Sequence, residues 1–180
     1  MNVTVRDLDF SDIPFVLDYW YESDPNFLTG MGVDLTKLGG KEEFHASLSK
    51  RIESSQSLPE PNMSALMICE DERPVGFHTI SPLTVGESGV FHAHVFDSSM
   101  RGRGIGLRSY PLACQVFMNR FSLEKILFKT PLQNKAAIRV KEKLGLKSVG
   151  EELVSFGIYR DGVKTKVYEL NREQVATFGY

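Results

Sequence analysis

The sequence predicts an α+β fold built on a mixed, mostly antiparallel sheet of six to seven strands flanked by about four helices. Three observations predict it. Segments of alternating and of helical apolar spacing succeed one another in the order β-α-α-β-β-β-α-β-α-β-β. Three strand-like segments run consecutively in the middle of the chain, as an antiparallel meander does. Later strands alternate with helices, which brings parallel neighbours into the same sheet.

Residues 3–8 alternate apolar and polar side chains, the pattern of a strand with one buried face. A helix opens within residues 9–14, with Ser11 as its expected N-cap and Ile13, Val16, Leu17 and Trp20 at helical spacing. Residues 23–40 form a Gly-containing loop carrying Phe27, Leu28, Met31 and Val33, and residues 42–54 a second helix with Phe44, Leu48 and Ile52 on one stripe. After the polar break SSQSLPEPN come strands over 65–69, 75–83 and 90–96. The longest helix is expected over 104–121, with a kink or a late start at Pro111. A strand over 126–129 precedes a helix over 134–144 that Gly145 closes. Strands over 154–159 and 163–170 make a hairpin around RDG. The chain reads as a single domain over residues 1–180, without repeats or low-complexity segments.

The 42% apolar and 24% charged content describes a globular chain, not a disordered one. A formal charge of -2 argues against nucleic acid as a partner, so any basic patch is local and suited to a small anion. Cys69 and Cys114 lack CxxC spacing and read as small buried hydrophobes of a reduced, cytoplasmic protein. No apolar run resembles a signal peptide or the ~20-residue stretch of a membrane span, so no membrane partner is expected. A homodimer is compatible with all of this.

RGRGIG, residues 101–106, stands between a strand and a helix. Its glycines let successive backbone N–H groups converge, the helix N-terminus adds positive potential, and Arg101, Arg103 and Arg108 add charge. That combination suits a pyrophosphate. The dinucleotide fingerprint GxGxxG fails in both frames, because its third glycine falls on Leu107 or Ser109. The GxxxxGK signature of a P-loop is absent as well.

RGRGIG resembles the R/Q-x-x-G-x-G/A signature of the GNAT acetyltransferase superfamily. NKAAIRVKEKLGL, residues 134–146, is similar to that family's second segment, N-x-x-A-x-x-x-Y-x-K-L-G-F. The resemblance implies a GNAT-like fold and acetyl-CoA as cosubstrate, with no metal. It implies that backbone amides of Gly102, Arg103, Gly104, Ile105 and Gly106, with the Arg101 charge, receive the CoA pyrophosphate, and that Asn134 bonds the pantetheine arm. It further implies that the strand before the loop splays from its neighbour, with the Phe96 N–H polarising the thioester carbonyl. Residues 64–170 would form the acetyl-CoA-binding core and closing hairpin, and residues 1–60 the acceptor side.

Acetylating an amine at neutral pH requires a base for its proton and a proton for the thiolate. His92 and His94 alternate on the strand entering the loop, and both are candidate bases. A hairpin centred near Gly86 would set His78 opposite His94 and gather three histidines on one face. His92 matches a histidine of the arylalkylamine branch of the family. The plainer reading is a row of satisfied histidines on a half-buried strand, and nothing at ligand spacing completes a zinc site. Lys141 occupies the position of the family's tyrosine acid, where it would donate a proton or pair with a CoA phosphate, although a lysine of ordinary pKa is a poor acid at pH 7. Tyr159 and Tyr110 are alternative acids.

The expected function is N-acetyl transfer from acetyl-CoA to a small-molecule amine or a peptide amine by direct attack. A non-catalytic acyl-CoA-binding or regulatory domain, and an O-acyl or longer-chain acyltransferase, are the alternatives. Trp20, Tyr21, Phe27 and Met31 beside Glu22, Asp24 and Asp34 offer an aromatic and acidic rim for a cation, or a loop simply packed on the core.

Overall fold

The computed structural model describes residues 2–60, 62–96, 98–100, 102–155 and 157–178, without the side chain of Ser98. Among them, seven strands form one sheet: β1 (Val3–Asp7), β2 (Ala65–Glu70), β3 (Arg73–Thr84), β4 (Ser88–Val95), β5 (Lys125–Pro131), β6 (Ser148–Val154) and β7 (Val163–Asn171). Their spatial order is β1-β2-β3-β4-β5-β7-β6. Only β4 and β5 pair in parallel; the other neighbours are antiparallel. The helices are α1 (Ile13–Tyr21), α2 (Pro25–Gly30), α3 (Lys41–Gln56), α4 (Ile105–Arg120), α5 (Lys135–Lys143) and α6 (Arg172–Thr177). The four expected helices are therefore joined by two short ones, α2 and α6, each a six-residue segment too brief for an apolar stripe to announce it.

Every residue of β2 is buried, because both faces of the sheet are covered. Leu66 packs with Phe117 and Met118 of α4, whereas Ala65, Met67 and Cys69 pack with Trp20 of α1 and Ile52 of α3. The same alternation along β4 sends Phe91 and Ala93 to the α4 face and His94 and Phe96 to the α1 face. That division positions the site.

Three local expectations are corrected. Asp9, not Ser11, caps the helical entry: its carboxylate accepts the Ser11 N–H at 2.8 Å, and Asp12 reaches back to the Asp9 N–H at 2.9 Å. Helix α4 starts at Ile105 and passes through Pro111, so no late start occurs. The penultimate strand is Ser148–Val154 rather than 154–159, and residues 155–162 form a longer connection than an RDG turn. Only Val154 is buried in that edge strand, so alternation carried no signal there.

Candidate active site

Strands β4 and β5 pair at Ser88–Lys125, Gly89–Ile126 and Val90–Leu127 and then part. Beyond Val90 the two edges open into a cleft lined by Phe91, His92, Ala93 and His94 on one side and Lys129, Thr130 and Pro131 on the other. Asn134, Ala137 and Lys141 of the α5 segment, Tyr110 of α4 and Tyr159 of the 155–162 loop complete it, around a cavity of about 60 Å³. A larger hollow of about 500 Å³ lies over the outer strands, and its Lys125 and Glu169 pair with each other.

At the end of the cleft, Gly102 and Gly104 have φ of 79° and 84°, the left-handed region that favours glycine. Nothing lies within 4 Å of a Cβ built at either position, so conformation rather than space demands glycine. Gly104 is the N-cap of α4, and the first backward bond of the helix runs from the Arg108 N–H to the Gly104 carbonyl. The N–H groups of Ile105, Gly106 and Leu107 therefore have no acceptor inside the helix. The Ile105 side chain is buried against Val3, Ile68 and Val75, which fixes the turn to the sheet. A Cβ built at Gly106 would meet Val140 of α5 at 3.5 Å, an ordinary contact, so the packing of the two helices does not itself demand glycine there. Arg103 is turned away, with its guanidinium 3.5 Å from the buried Glu70 carboxylate. Arg101 lies outside the described residues.

Asn134 caps α5, its Oδ1 accepting the Ala137 N–H at 3.1 Å while the residue lines the cleft. The Phe96 N–H, expected to face a thioester, donates instead to the Val75 carbonyl at 3.0 Å. In an antiparallel ladder the bonding direction alternates along the strand. The N–H groups of Ala93 and Val95 therefore point from β4 toward the cleft, one residue out of phase with the expectation.

The histidines divide between the two faces. His92 Nε2 donates to the Ser81 carbonyl at 2.7 Å, which fixes the tautomer, so Nδ1 accepts the Tyr159 O–H at 2.9 Å. Burial pushes His92 down to about 4 and Tyr159 up to about 12. His94 is buried between Phe77, Trp20 and Tyr19, with Nδ1 3.1 Å from Tyr19 Oη, and burial holds its pKa well below the ordinary value. His78 is not opposite His94. It pairs with Ala93 and points to the α4 face, 2.9 Å from Ser109 Oγ. A bulge between Ile80 and Leu83 adds one residue to β3, and a one-residue slip reverses every side chain beyond it.

Residues 29–37 and 158–161 are tied across the cleft. The Asp34 N–H donates to the Ile158 carbonyl at 2.7 Å and the Arg160 N–H to the Gly32 carbonyl at 2.9 Å. Within the expected acidic rim, Asp24 and Asp34 cap helical turns, Glu22 pairs with Lys41 and Trp20 is buried in the core. A separate hollow of about 190 Å³, lined by Phe15, Asp18, Tyr19, Glu22 and Phe96, lies on the α1 side. Among the described residues, no group of three or more His, Cys, Asp or Glu side chains could hold a metal ion, and no helix is long and apolar enough to cross a membrane.

The Acetyltransferase (GNAT) family model matches residues 31–146, more than half of the chain. The chain belongs to the GNAT acetyltransferase family. The acetyltransferase fold extends over the full length. A spermidine N-acetyltransferase from Vibrio cholerae, in complex with CoA and spermine, superposes with a TM-score of 0.73 at 15% identity, covering 97% of this chain and 98% of that one. The aminoglycoside acetyltransferase AAC(6')-Ib in complex with coenzyme A gives 0.69 at 16% identity, over 98% and 99% of the two chains. A ribosomal-protein-S5-alanine acetyltransferase from Vibrio fischeri gives 0.72 at 16% identity, over 96% and 94%. At such identities the likeness is one of fold. No curated protein matches the chain in sequence.

Proposed function

We propose that this acetyltransferase moves an acetyl group from acetyl-CoA to a small cationic amine by direct attack of the amine on the thioester. The parting of β4 from β5 beside the N-terminus of α4, whose first N–H groups have no acceptor within the helix, carries the reading. Strands that separate leave ladder donors and acceptors unmet, and a pantetheine arm with its two amides can meet them. The Ala93 and Val95 N–H groups would hold that arm and the thioester oxygen on the β4 side, and Asn134 on the other. The amides of residues 102–106 would receive the pyrophosphate, strengthened by the helix dipole. Arg103, held by Glu70, shapes the turn rather than reaching out of it.

On the acceptor side, Asp18 and Glu22 beside Phe15, Tyr19 and Phe96 favour an ammonium by charge and by ring contact. Tyr159 and His92 form a ready proton path. As the amine nitrogen bonds to carbon it becomes strongly acidic. Tyr159 Oη can then accept its proton while passing its own to His92 Nδ1. Two free, buried cysteines favour a cytoplasmic location.

The test is thiol release from acetyl-CoA across polyamines, amino sugars and peptide N-termini. Turnover is expected with small polycationic amines. Tyr159→Phe should lower kcat by about 100-fold with acetyl-CoA affinity unchanged. The acidic limb of the rate profile should lie near 4 rather than near the ordinary imidazole value, because burial holds His92 there. Binding of acetyl-CoA without turnover of any amine would instead support a non-catalytic acyl-CoA-binding domain.

A further inference from the structure

Lys141 and Ile138 are the two buried residues of α5, and Lys141 lies on the wall of the cleft. Its Nζ is 3.1 Å from Tyr110 Oη, 5.1 Å from the centre of the Tyr110 ring and 5.8 Å from that of Phe128. No carboxylate of the described residues pairs with it. As the acceptor of an Nζ–H, Tyr110 holds the amine in place and leaves the lone pair of its neutral form free. A buried amine among aromatic rings, without a counter-ion, has the surroundings that make lysine a nucleophile.

The level of Lys141 in the cleft matters as much. Tyr110 packs on Phe91 with ring centres 4.9 Å apart, and Phe91 follows Val90, the last residue of β4 paired with β5. Lys141 therefore stands near the point where the strands part, and the Gly104 turn stands at the other end of the cleft. An arm held by its pyrophosphate on that turn and by the Ala93 and Val95 N–H groups brings its acyl end toward this amine. His92 and Tyr159 enter the same cleft from the opposite face.

Building on the acetyl-transfer reading, we propose that Lys141 is a self-acetylation site, which takes the acetyl group of bound acetyl-CoA when no acceptor amine is present and thereby switches the enzyme off. The Nζ lone pair forms the C–N bond, and the C–S bond breaks with its electron pair on sulfur. Nitrogen sheds one proton to water and sulfur gains one from water, so the products are an Nε-acetyl amide and CoA thiol. The new acetyl group projects into the cavity of about 60 Å³, where the acyl end of the next acetyl-CoA must lie. An acceptor amine competes for the same carbonyl and so protects the lysine.

Burial pulls the Lys141 ammonium down to about 7, so about half of it is free amine at pH 7, about a thousandfold more than in a lysine of ordinary pKa. Other titratable groups face it from α4 (Tyr110, Cys114), β3 (His78), β4 (His92), β5 (Lys129) and the 155–162 loop (Tyr159). Burial pushes Tyr110, Cys114 and Tyr159 upward and His78 and His92 downward, so all five are neutral around pH 7. Lys129 is paired with Glu152. The rate of self-acetylation therefore follows the free amine of Lys141, rising about tenfold per pH unit below 7 and levelling above 8.

Incubating the protein with acetyl-CoA and no amine, from about pH 5.5 to about pH 9.5, and mapping its peptides by mass spectrometry tests the proposal. At pH 7 Lys141 should gain an acetyl group at least about 100-fold faster than Lys143, which is exposed on the same helix. Its rate should level off above pH 8, whereas random acetylation of exposed lysines keeps climbing. Affinity for acetyl-CoA should fall in step with the modified fraction, and a saturating acceptor should slow the modification at least about tenfold. The wild type should release one thiol per chain without an amine, and Lys141→Arg, whose guanidinium stays charged, should release none. Lys141 modified no faster than Lys143, or an acetylated protein that binds acetyl-CoA as before, would overturn the proposal even where amines are turned over. A wild type that binds no acetyl-CoA would overturn the acetyl-transfer reading itself, a different result.

Discussion

Replacing Ala137 by phenylalanine should abolish acetyl-CoA binding and leave the fold intact. Ala137 lies in the first turn of α5, half-buried, with its side chain on the wall of the cleft opposite β4. A phenyl ring there more than fills a cavity of about 60 Å³ and occupies the place proposed for the pantetheine arm. The helix itself tolerates the change, because Phe costs only about 0.5 kcal/mol in propensity relative to Ala. The Asn134 cap bonds the backbone of residue 137 and is unaffected. Calorimetric titration should show at least about a 100-fold loss of affinity, or about 2.7 kcal/mol. The neighbouring Ala136 is exposed, so Ala136→Phe should bind as the wild type does. Equal affinity in the two variants would remove the cleft from donor binding.

Acidification should destabilise the protein well before its carboxylates titrate. His78 is fully buried and His94 is 8% exposed, and burial holds both imidazoles below their ordinary pKa, His78 at about 3. Between that value and 6.5 the unfolded chain takes up protons at these two positions and the folded chain does not. Their contribution is thus complete above 6.5 and declines as pH falls toward the folded-state values. Each histidine costs at most about 1.4 kcal/mol per pH unit, so the pair removes about 4 kcal/mol between pH 7 and pH 5. Urea unfolding at the two pH values measures it. His92, held at about 4 by burial, adds a third such contribution, so His94→Gln should lower the slope by about a third. A stability unchanged between pH 7 and 5 would mean that these rings charge in place.

Much of this architecture was legible in the chain because its signals are local. The meander, the long helix after the glycine turn and the helix that Gly145 closes each rest on a few adjacent side chains whose periodicity or capping chemistry declares them. The glycine turn could be read as an anion cradle because Gly102 and Gly104 need φ values that few residues adopt. What sequence reasoning missed depends on pairing between distant segments. The bulge between Ile80 and Leu83 turned His78 to the α4 face, and it also aimed the Ser81 carbonyl at His92. Counting residues from the Gly86 turn could not register an extra residue in the ladder.

The Phe96 N–H is lost to Val75 for a related reason: which residues of β4 bond toward β3 is set by the partner strand. The Arg103–Glu70 contact joins residues on different elements, and nothing near either one announces it. Lys141 is the clearest case. As a letter in NKAAIRVKEKLGL it looks like one of several helix-surface lysines, and its ordinary pKa argues against acid catalysis. Only the packing of α4 and β5 around it, which buries the ammonium under Tyr110 and Phe128 without a paired carboxylate among the described residues, changes its chemistry.

The cleft between β4 and β5 is the centre of the account, and a crystal structure of the protein with CoA tests it most directly. The pantetheine arm is expected between residues 93–95 and 130–134, its amides bonded to the Ala93 and Val95 backbone, with the pyrophosphate on the N–H groups at the start of α4. CoA bound elsewhere, or strands β4 and β5 zipped together beyond Val90 with the arm outside, would contradict it.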